Sequence, residues 1–156
     1  SKEEIVKSLE SQGVHVAPAP YLPYAYSISE FNHILALDAF IKGKIVVQDV
    51  SSMLVAEVAD PKKGDYVIDV CAAPGGKSLH MGDKMEGYGT VDARDVSQYK
   101  VNLIEENIQR TNSINVQARG FRTACRCCNC RCTLFRVWSD RQEAGNQIPC
   151  YATETG

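Results

Sequence analysis

The stretch that decides the fold runs from Asp69 to Ser78 and reads DVCAAPGGKS. It follows a short β-branched run, residues 65–70, which predicts a buried parallel strand. A helical pattern resumes at Ser78, so the stretch forms a tight turn of small residues between a strand and a helix. Such a turn directs backbone N–H groups and the positive end of a helix toward a ligand. The two glycines, Gly75 and Gly76, would permit positive φ and a close ligand approach.

Three ligand classes, besides an ordinary βα connection, are compatible with this turn. A phosphate-binding Walker A loop would end in Gly76-Lys77-Ser78, but its required first glycine is replaced by Cys71. The dinucleotide fingerprint Gly-x-Gly-x-x-Gly is absent from the stretch. The third class is an S-adenosylmethionine site, in which the loop surrounds the amino-acid part of the cofactor and a later acid holds the ribose.

Two acids are candidates for the ribose contact. In a doubly wound sheet the ribose-binding acid ends the second strand, about 20 residues beyond the glycine turn. The pattern predicts this strand over residues 90–95, with Asp92 inside it and Asp95 at its carboxyl end. Ligands of open parallel sheets bind at the carboxyl ends of the strands, so we predict Asp95. It also directly precedes a helix predicted from Ser97 to Thr111.

The loop resembles the cofactor loop of the Sun-type (Fmu) RNA cytosine-5 methyltransferases, a family that includes bacterial small-subunit rRNA cytosine-C5 methyltransferases. The resemblance extends over residues 43–119, including the segment 47–52 upstream and Asn107 downstream. Ribose 2′-O-methyltransferases carry a related Ala-Pro-Gly-Gly turn, usually followed by an aromatic residue. Lys77 and the Gln48-Asp49 element are more similar to the cytosine-5 family.

The resemblance implies an α/β fold, namely part of a Rossmann-like methyltransferase domain with an incomplete parallel sheet. It implies S-adenosyl-L-methionine as cofactor and RNA, specifically ribosomal RNA, as partner of the full-length protein. The expected cofactor-binding residues are Cys71, Ala72, Ala73, Pro74, Gly75, Gly76, Lys77 and Asp95. In the family a cysteine thiolate adds to C6 of cytosine and so activates C5. Cys71 lies in the cofactor loop instead, so no catalytic residue is assigned and this polypeptide is expected to be inactive.

The composition restricts the class and the cellular location that we expect for this protein. It has 156 residues, a net charge of −2 and a pI near 5.9, without the basic footprint of a nucleic-acid-binding domain. It lacks an apolar run long enough for a membrane span and a signal peptide, and only Cys71 precedes residue 125. We therefore expect a cytoplasmic protein without a membrane or protein partner. The missing initial Met suggests a piece of a longer protein.

Residues 120–156 differ from the rest. Six cysteines crowd this tail, namely Cys125, Cys127, Cys128, Cys130, Cys132 and Cys150. A zinc-binding module is one interpretation, but the x₂-spaced pairs interlock, so no metal site is predicted. Read one base later, the codons of residues 133–136 permit Pro-Cys-Ser-Gly, which resembles the family's nucleophile motif. We interpret the tail from about Gly120 as out of frame and predict disorder there. Residues 1–42 would precede the catalytic domain, and residues 43–119 would form its first half.

Overall fold

The computed structural model describes residues 1–120, 132–135 and 148–152. The helices are α1 (Lys2–Ser11), α2 (Asp38–Ile41), α3 (Val50–Ala59), α4 (Gly76–Lys84) and α5 (Gln98–Thr111), and a short 3₁₀ helix covers Ile34–Ala36. The strands are β1 (His15–Pro18), β2 (Ala25–Ser29), β3 (Ile45–Val47), β4 (Tyr66–Asp69), β5 (Thr90–Asp95), β6 (Val116–Gly120), β7 (Cys132–Phe135) and β8 (Ile148–Ala152). In this described part of the chain, no helix combines the length and apolarity needed to cross a bilayer.

The strands β4, β5, β6 and β7 form one parallel sheet. Its strands lie in the order β6-β5-β4-β7, and every neighbouring pair is parallel. One face packs against α3, α4 and α5 through a buried core that includes Val67, Leu79, Val91, Ala93 and Ile104. Alternate residues of a strand point to opposite faces, which is why Val91 and Ala93 share this core. The α/β fold with a parallel sheet expected from the turn is confirmed.

A second, antiparallel sheet has the order β1-β2-β8-β3. Its core contains Leu9 from α1 together with Ile28 and Ile45. Arg110 of α5 connects this region to the parallel sheet, because its Nη1 donates to the carbonyls of Phe40 at 2.9 Å and Ile45 at 3.1 Å. The predicted domain boundary between residues 42 and 43 stays a prediction, and it falls just before β3.

Two segments of the tail correct the expectation that residues 120–156 lack regular structure. Cys132–Phe135 pairs in parallel with β4, and Ile148–Ala152 pairs with β2 and β3. The unpaired N–H and C=O groups at a sheet edge can bind any extended backbone, whatever its side chains. One edge of β4 is therefore covered by β7. The segment that holds Cys125, Cys127, Cys128 and Cys130 lies outside the described residues.

Candidate cofactor-binding site

The loop after β4 is a closed turn that leads directly into α4. Gly75 adopts φ +111° at the N-terminal boundary of α4, and its N–H donates to the carbonyl of Ala72 at 2.6 Å. The Nδ2 atom of Asn107 on α5 donates to the carbonyl of Pro74 at 3.1 Å. The first N–H groups of a helix have no carbonyl partner within it. The turn therefore presents the donor-rich, positive end of α4 at the carboxyl edge of the sheet.

Asp69, the last residue of β4, forms hydrogen bonds at both ends of this loop. It is 3% exposed, and its carboxylate accepts the Ser78 hydroxyl at 2.8 Å and the Cys71 N–H at 3.2 Å. Burial raises the pKa of Asp69, while these two hydrogen bonds and the charge of Lys77 oppose the shift. Sequence reasoning missed this residue, although its place at the end of the predicted strand was the signal for it.

Asp95, at the end of β5, contacts the loop directly. Its Oδ2 accepts the Ala73 N–H at 3.3 Å, and its Oδ1 accepts the Val96 N–H at 2.8 Å. The ammonium group of Lys100 lies 3.6 Å from Oδ1. Next to it, the Ala72 N–H donates to the carbonyl of residue 94 at 3.0 Å. The structure thus joins the loop to the carboxyl end of the neighbouring strand, as the prediction of a shared site requires.

Asp92, the alternative acid, is engaged elsewhere. It is completely buried and accepts the Tyr66 hydroxyl at 2.9 Å and Nε of Arg94 at 3.0 Å. The Nε atom of Arg119 lies 3.8 Å from its other oxygen. Residues 92 and 95 are three apart on a strand and so face opposite sides of the sheet. The geometry therefore favours Asp95 over Asp92 as the acid of the site.

The other predicted loop residues differ in exposure. Cys71 and Pro74 are exposed, Ala72 and Gly75 are buried, and Ala73, Gly76 and Lys77 are intermediate. Lys77 lies in the first turn of α4, close enough to Asp69 for its charge to oppose the raised pKa of that carboxyl. The charge of Asp95 also affects the pKa of Asp69, so Lys77 and Asp95 both lie near this carboxyl group. Their roles as cofactor ligands stay predictions.

Gln48 is a second residue that sequence reasoning did not assign to the site. It follows β3 and is 7% exposed, and among the described residues neither polar atom of its amide has a hydrogen-bond partner. A Cβ built on Gly76 would lie 3.6 Å from Cδ of this amide. The available signal was the Gln48-Asp49 element, whose similarity to the cytosine-5 family did not by itself imply a role for either side chain.

The His, Cys, Asp and Glu side chains of residues 1–120, 132–135 and 148–152 are the candidate metal ligands in the described part of the chain. Within them, no group of three or more His, Cys, Asp or Glu side chains could hold a metal ion. Cys71 is a free, exposed cysteine. The cysteine-rich interpretation of the tail falls mainly on residues outside these ranges and is not tested.

A parallel sheet, a small-residue loop after β4 and a buried acid ending β5 define a Rossmann-like methyltransferase domain. A solved structure of a methyltransferase homologue from Pyrococcus horikoshii is similar to this chain. It superimposes with a TM-score of 0.69 at 30% identity, over 80% of this chain and 40% of that one.

The sequence comparisons match the chain to one family. The model described as 16S rRNA methyltransferase RsmB/F matches residues 56–126. The probable ribosomal RNA small subunit methyltransferase B of Bacillus subtilis (strain 168) is 36% identical over 109 residues, which is 70% of this chain and 24% of the relative. The tRNA (cytosine(72)-C(5))-methyltransferase of P. horikoshii is 42% identical over 81 residues, covering 52% of this chain and 21% of the relative.

These comparisons bear out the resemblance to the Sun-type RNA cytosine-5 methyltransferase family that the loop predicted. The chain spans about a quarter of the length of these curated relatives. The family match continues to residue 126, beyond Arg119, where we expected the resemblance to end.

Proposed function

We propose that this chain provides the S-adenosyl-L-methionine site of an enzyme that methylates C5 of cytosine in RNA. The single observation that carries the proposal is the hydrogen bond from the Ala73 N–H to Asp95, at 3.3 Å. It joins the small-residue loop to the only acid that ends β5, at the edge where parallel sheets bind ligands. The resemblance to the family and the names of the relatives support the same assignment.

The residues present fit this cofactor. The start of α4 and the backbone of residues 71–77 suit the amino-acid part, since a carboxylate is favoured at a helix N-terminus. Asp95 accepts two backbone N–H groups, but a carboxylate has about four acceptor positions, so capacity remains for ribose hydroxyls. When bound, S-adenosylmethionine supplies an activated methyl group. This chain's residues bind and orient the cofactor, and Cys71 takes no part as nucleophile.

Ribosomal RNA is the substrate we assign, and the cytoplasm is the location. The description of the matching family model and the name of the Bacillus relative both refer to small-subunit rRNA. The archaeal relative is named for tRNA, so transfer RNA is the competing substrate. The chain holds 17 basic and 19 acidic residues, so its overall charge does not favour RNA phosphates.

A phosphate-binding loop is less compatible with the geometry. In a Walker A site the Ser after the Lys must coordinate Mg²⁺. Here the Ser78 hydroxyl donates to Asp69 at 2.8 Å, deep in the core. The first glycine of such a loop is also replaced by Cys71.

Isothermal titration calorimetry with S-adenosylmethionine tests the proposal on the 156-residue chain. We expect binding by the wild type and a loss of about 10–100-fold in Asp95→Asn, because a charged acceptor of the ribose is removed. Asp38→Asn is the matched control, since Asp38 is an exposed aspartate on α2 that we expect to leave affinity unchanged. Circular dichroism checks that each variant folds. Stabilisation by Mg-ATP but not by S-adenosylmethionine would overturn the proposal.

A further inference from the structure

Gln48 is a buried polar residue beside the start of α4. It comes directly after β3, and Asp49 then forms the N-terminal boundary of α3. The residue is more than nine-tenths buried, at 7% exposure.

The amide of Gln48 has two polar atoms, the donor Nε2 and the acceptor Oε1. In the part of the chain that the structure describes, neither Nε2 nor Oε1 of Gln48 makes a hydrogen bond. A buried amide without hydrogen bonds destabilises the fold, because its donors and acceptor have lost water without replacement. A ligand group that offers both a hydrogen-bond donor and an acceptor would satisfy these two atoms together.

The amide lies against the first residue of α4. A Cβ built on Gly76 would be 3.6 Å from Cδ, 3.7 Å from Cγ and 3.8 Å from Oε1 of Gln48. The side chain of Gln48 therefore lies over the N-terminal end of α4. This end of the helix carries its free N–H groups and the positive end of its dipole. A ligand carboxylate attracted to this helix end would meet the amide as well.

We propose that Gln48 binds the amino-acid end of S-adenosylmethionine, a role that rests on the proposed function. Its Nε2 donates to the α-carboxylate and its Oε1 accepts from the α-ammonium group. The side chain has one group of each kind, and so does the amino-acid end. Gln48 is then a binding residue that distinguishes the intact cofactor from sulfur nucleosides without an amino acid.

The test compares S-adenosylmethionine with 5′-methylthioadenosine, which lacks the amino-acid chain and the sulfonium charge, so the wild-type protein serves as the reference for each ligand. The affinities of S-adenosylmethionine and 5′-methylthioadenosine are measured calorimetrically for the wild type and Gln48→Met, which keeps a similar volume without polar atoms. We expect the variant to bind S-adenosylmethionine about tenfold more weakly and methylthioadenosine equally well. Gln98→Met, an exposed change on α5, is the control and should alter neither affinity.

Thermal unfolding without ligand provides an independent measurement. Gln48→Met should unfold about 2–6 °C higher than the wild type, because it removes an unsatisfied buried amide. A lower unfolding temperature would show that the amide has a structural partner and would overturn the inference. Equal weakening of both ligands, or of neither, would also overturn it while leaving the proposed function intact. If the wild type bound neither ligand, the proposed function and this inference would fail together.

Discussion

Acidification should destabilise the protein through His80, which lies on α4 at 3% exposure. Its ring packs against Tyr24 in an edge contact, with centroids 5.5 Å apart. Burial lowers the pKa of His80 from 6.5 to about 4. The nearby carboxylate of Glu57 would favour the proton, but it already accepts the Tyr24 hydroxyl at 2.6 Å and pairs with Lys84 at 2.8 Å. His80 is therefore held neutral in the folded state.

The sign and size of the effect follow from this shift. The unfolded chain binds a proton at His80 as the pH falls through 6.5, whereas the folded chain binds it only near pH 4. The contribution of neutral His80 to the free energy of unfolding is therefore fully present well above pH 6.5. It is lost progressively as the pH falls from 6.5 to about 4. Between pH 8 and pH 5 the loss amounts to about 2 kcal/mol in the free energy of unfolding.

Urea unfolding followed by circular dichroism at pH 8, 7, 6 and 5 measures this loss. His80→Met removes the titrating group and keeps an apolar contact with Tyr24. Asp69, whose pKa is raised, acts in the opposite direction on acidification but is present in both proteins and cancels in the comparison. We expect the stability of the wild type relative to His80→Met to fall by about 2 kcal/mol over this range. A difference independent of pH would refute the reasoning, because it would mean that His80 takes up its proton without unfolding.

Two further predictions concern packing around α5. Gly43→Ala should destabilise the fold by about 3 kcal/mol or more, because the new Cβ would lie 2.0 Å from a carbonyl oxygen of α5 and because Gly43 has φ +67°. Gly13→Ala, with φ +79° and open space around it, should cost about 1–2 kcal/mol in the same urea titration; equal losses would contradict the clash. Asn107→Ala should weaken S-adenosylmethionine binding about threefold to tenfold, because its hydrogen bond to the Pro74 carbonyl holds the loop. Asn102→Ala, an exposed change on the same helix, is the calorimetric control, and a loss as large as that of Asn107→Ala would exclude a specific role for the loop contact.

Local signals in the sequence predicted the elements that surround the site. A β-branched run followed by small residues and a helical period gave β4, the loop and α4 at nearly their observed bounds. The same reasoning placed Asp95 at the end of β5. These features depend on residues close together in the chain, so patterns of period 2 and 3.6 are sufficient to find them.

The tail strands were not predictable in this way. Cys132–Phe135 and Ile148–Ala152 pair with strands more than sixty residues earlier, through backbone groups that carry no side-chain pattern. The prediction of disorder in the tail was based on its cysteines and on the interrupted family resemblance. Edge pairing depends on the position of the partner strand, which the local sequence of the tail does not encode.

The amino-acid sequence by itself determined that this chain has an α/β fold, that a small-residue turn at residues 71–77 joins a strand to a helix and that two acids follow on the next strand. The sequence already favoured Asp95 from its place at the strand end, but only the tertiary structure shows that Asp92 binds Tyr66 and Arg94 while Asp95 reaches the loop. The tertiary structure also brought Gln48 over Gly76, a contact between residues 28 positions apart. Burial and hydrogen bonding are properties of residues that meet in space, so they appear only when the sheets and helices have packed.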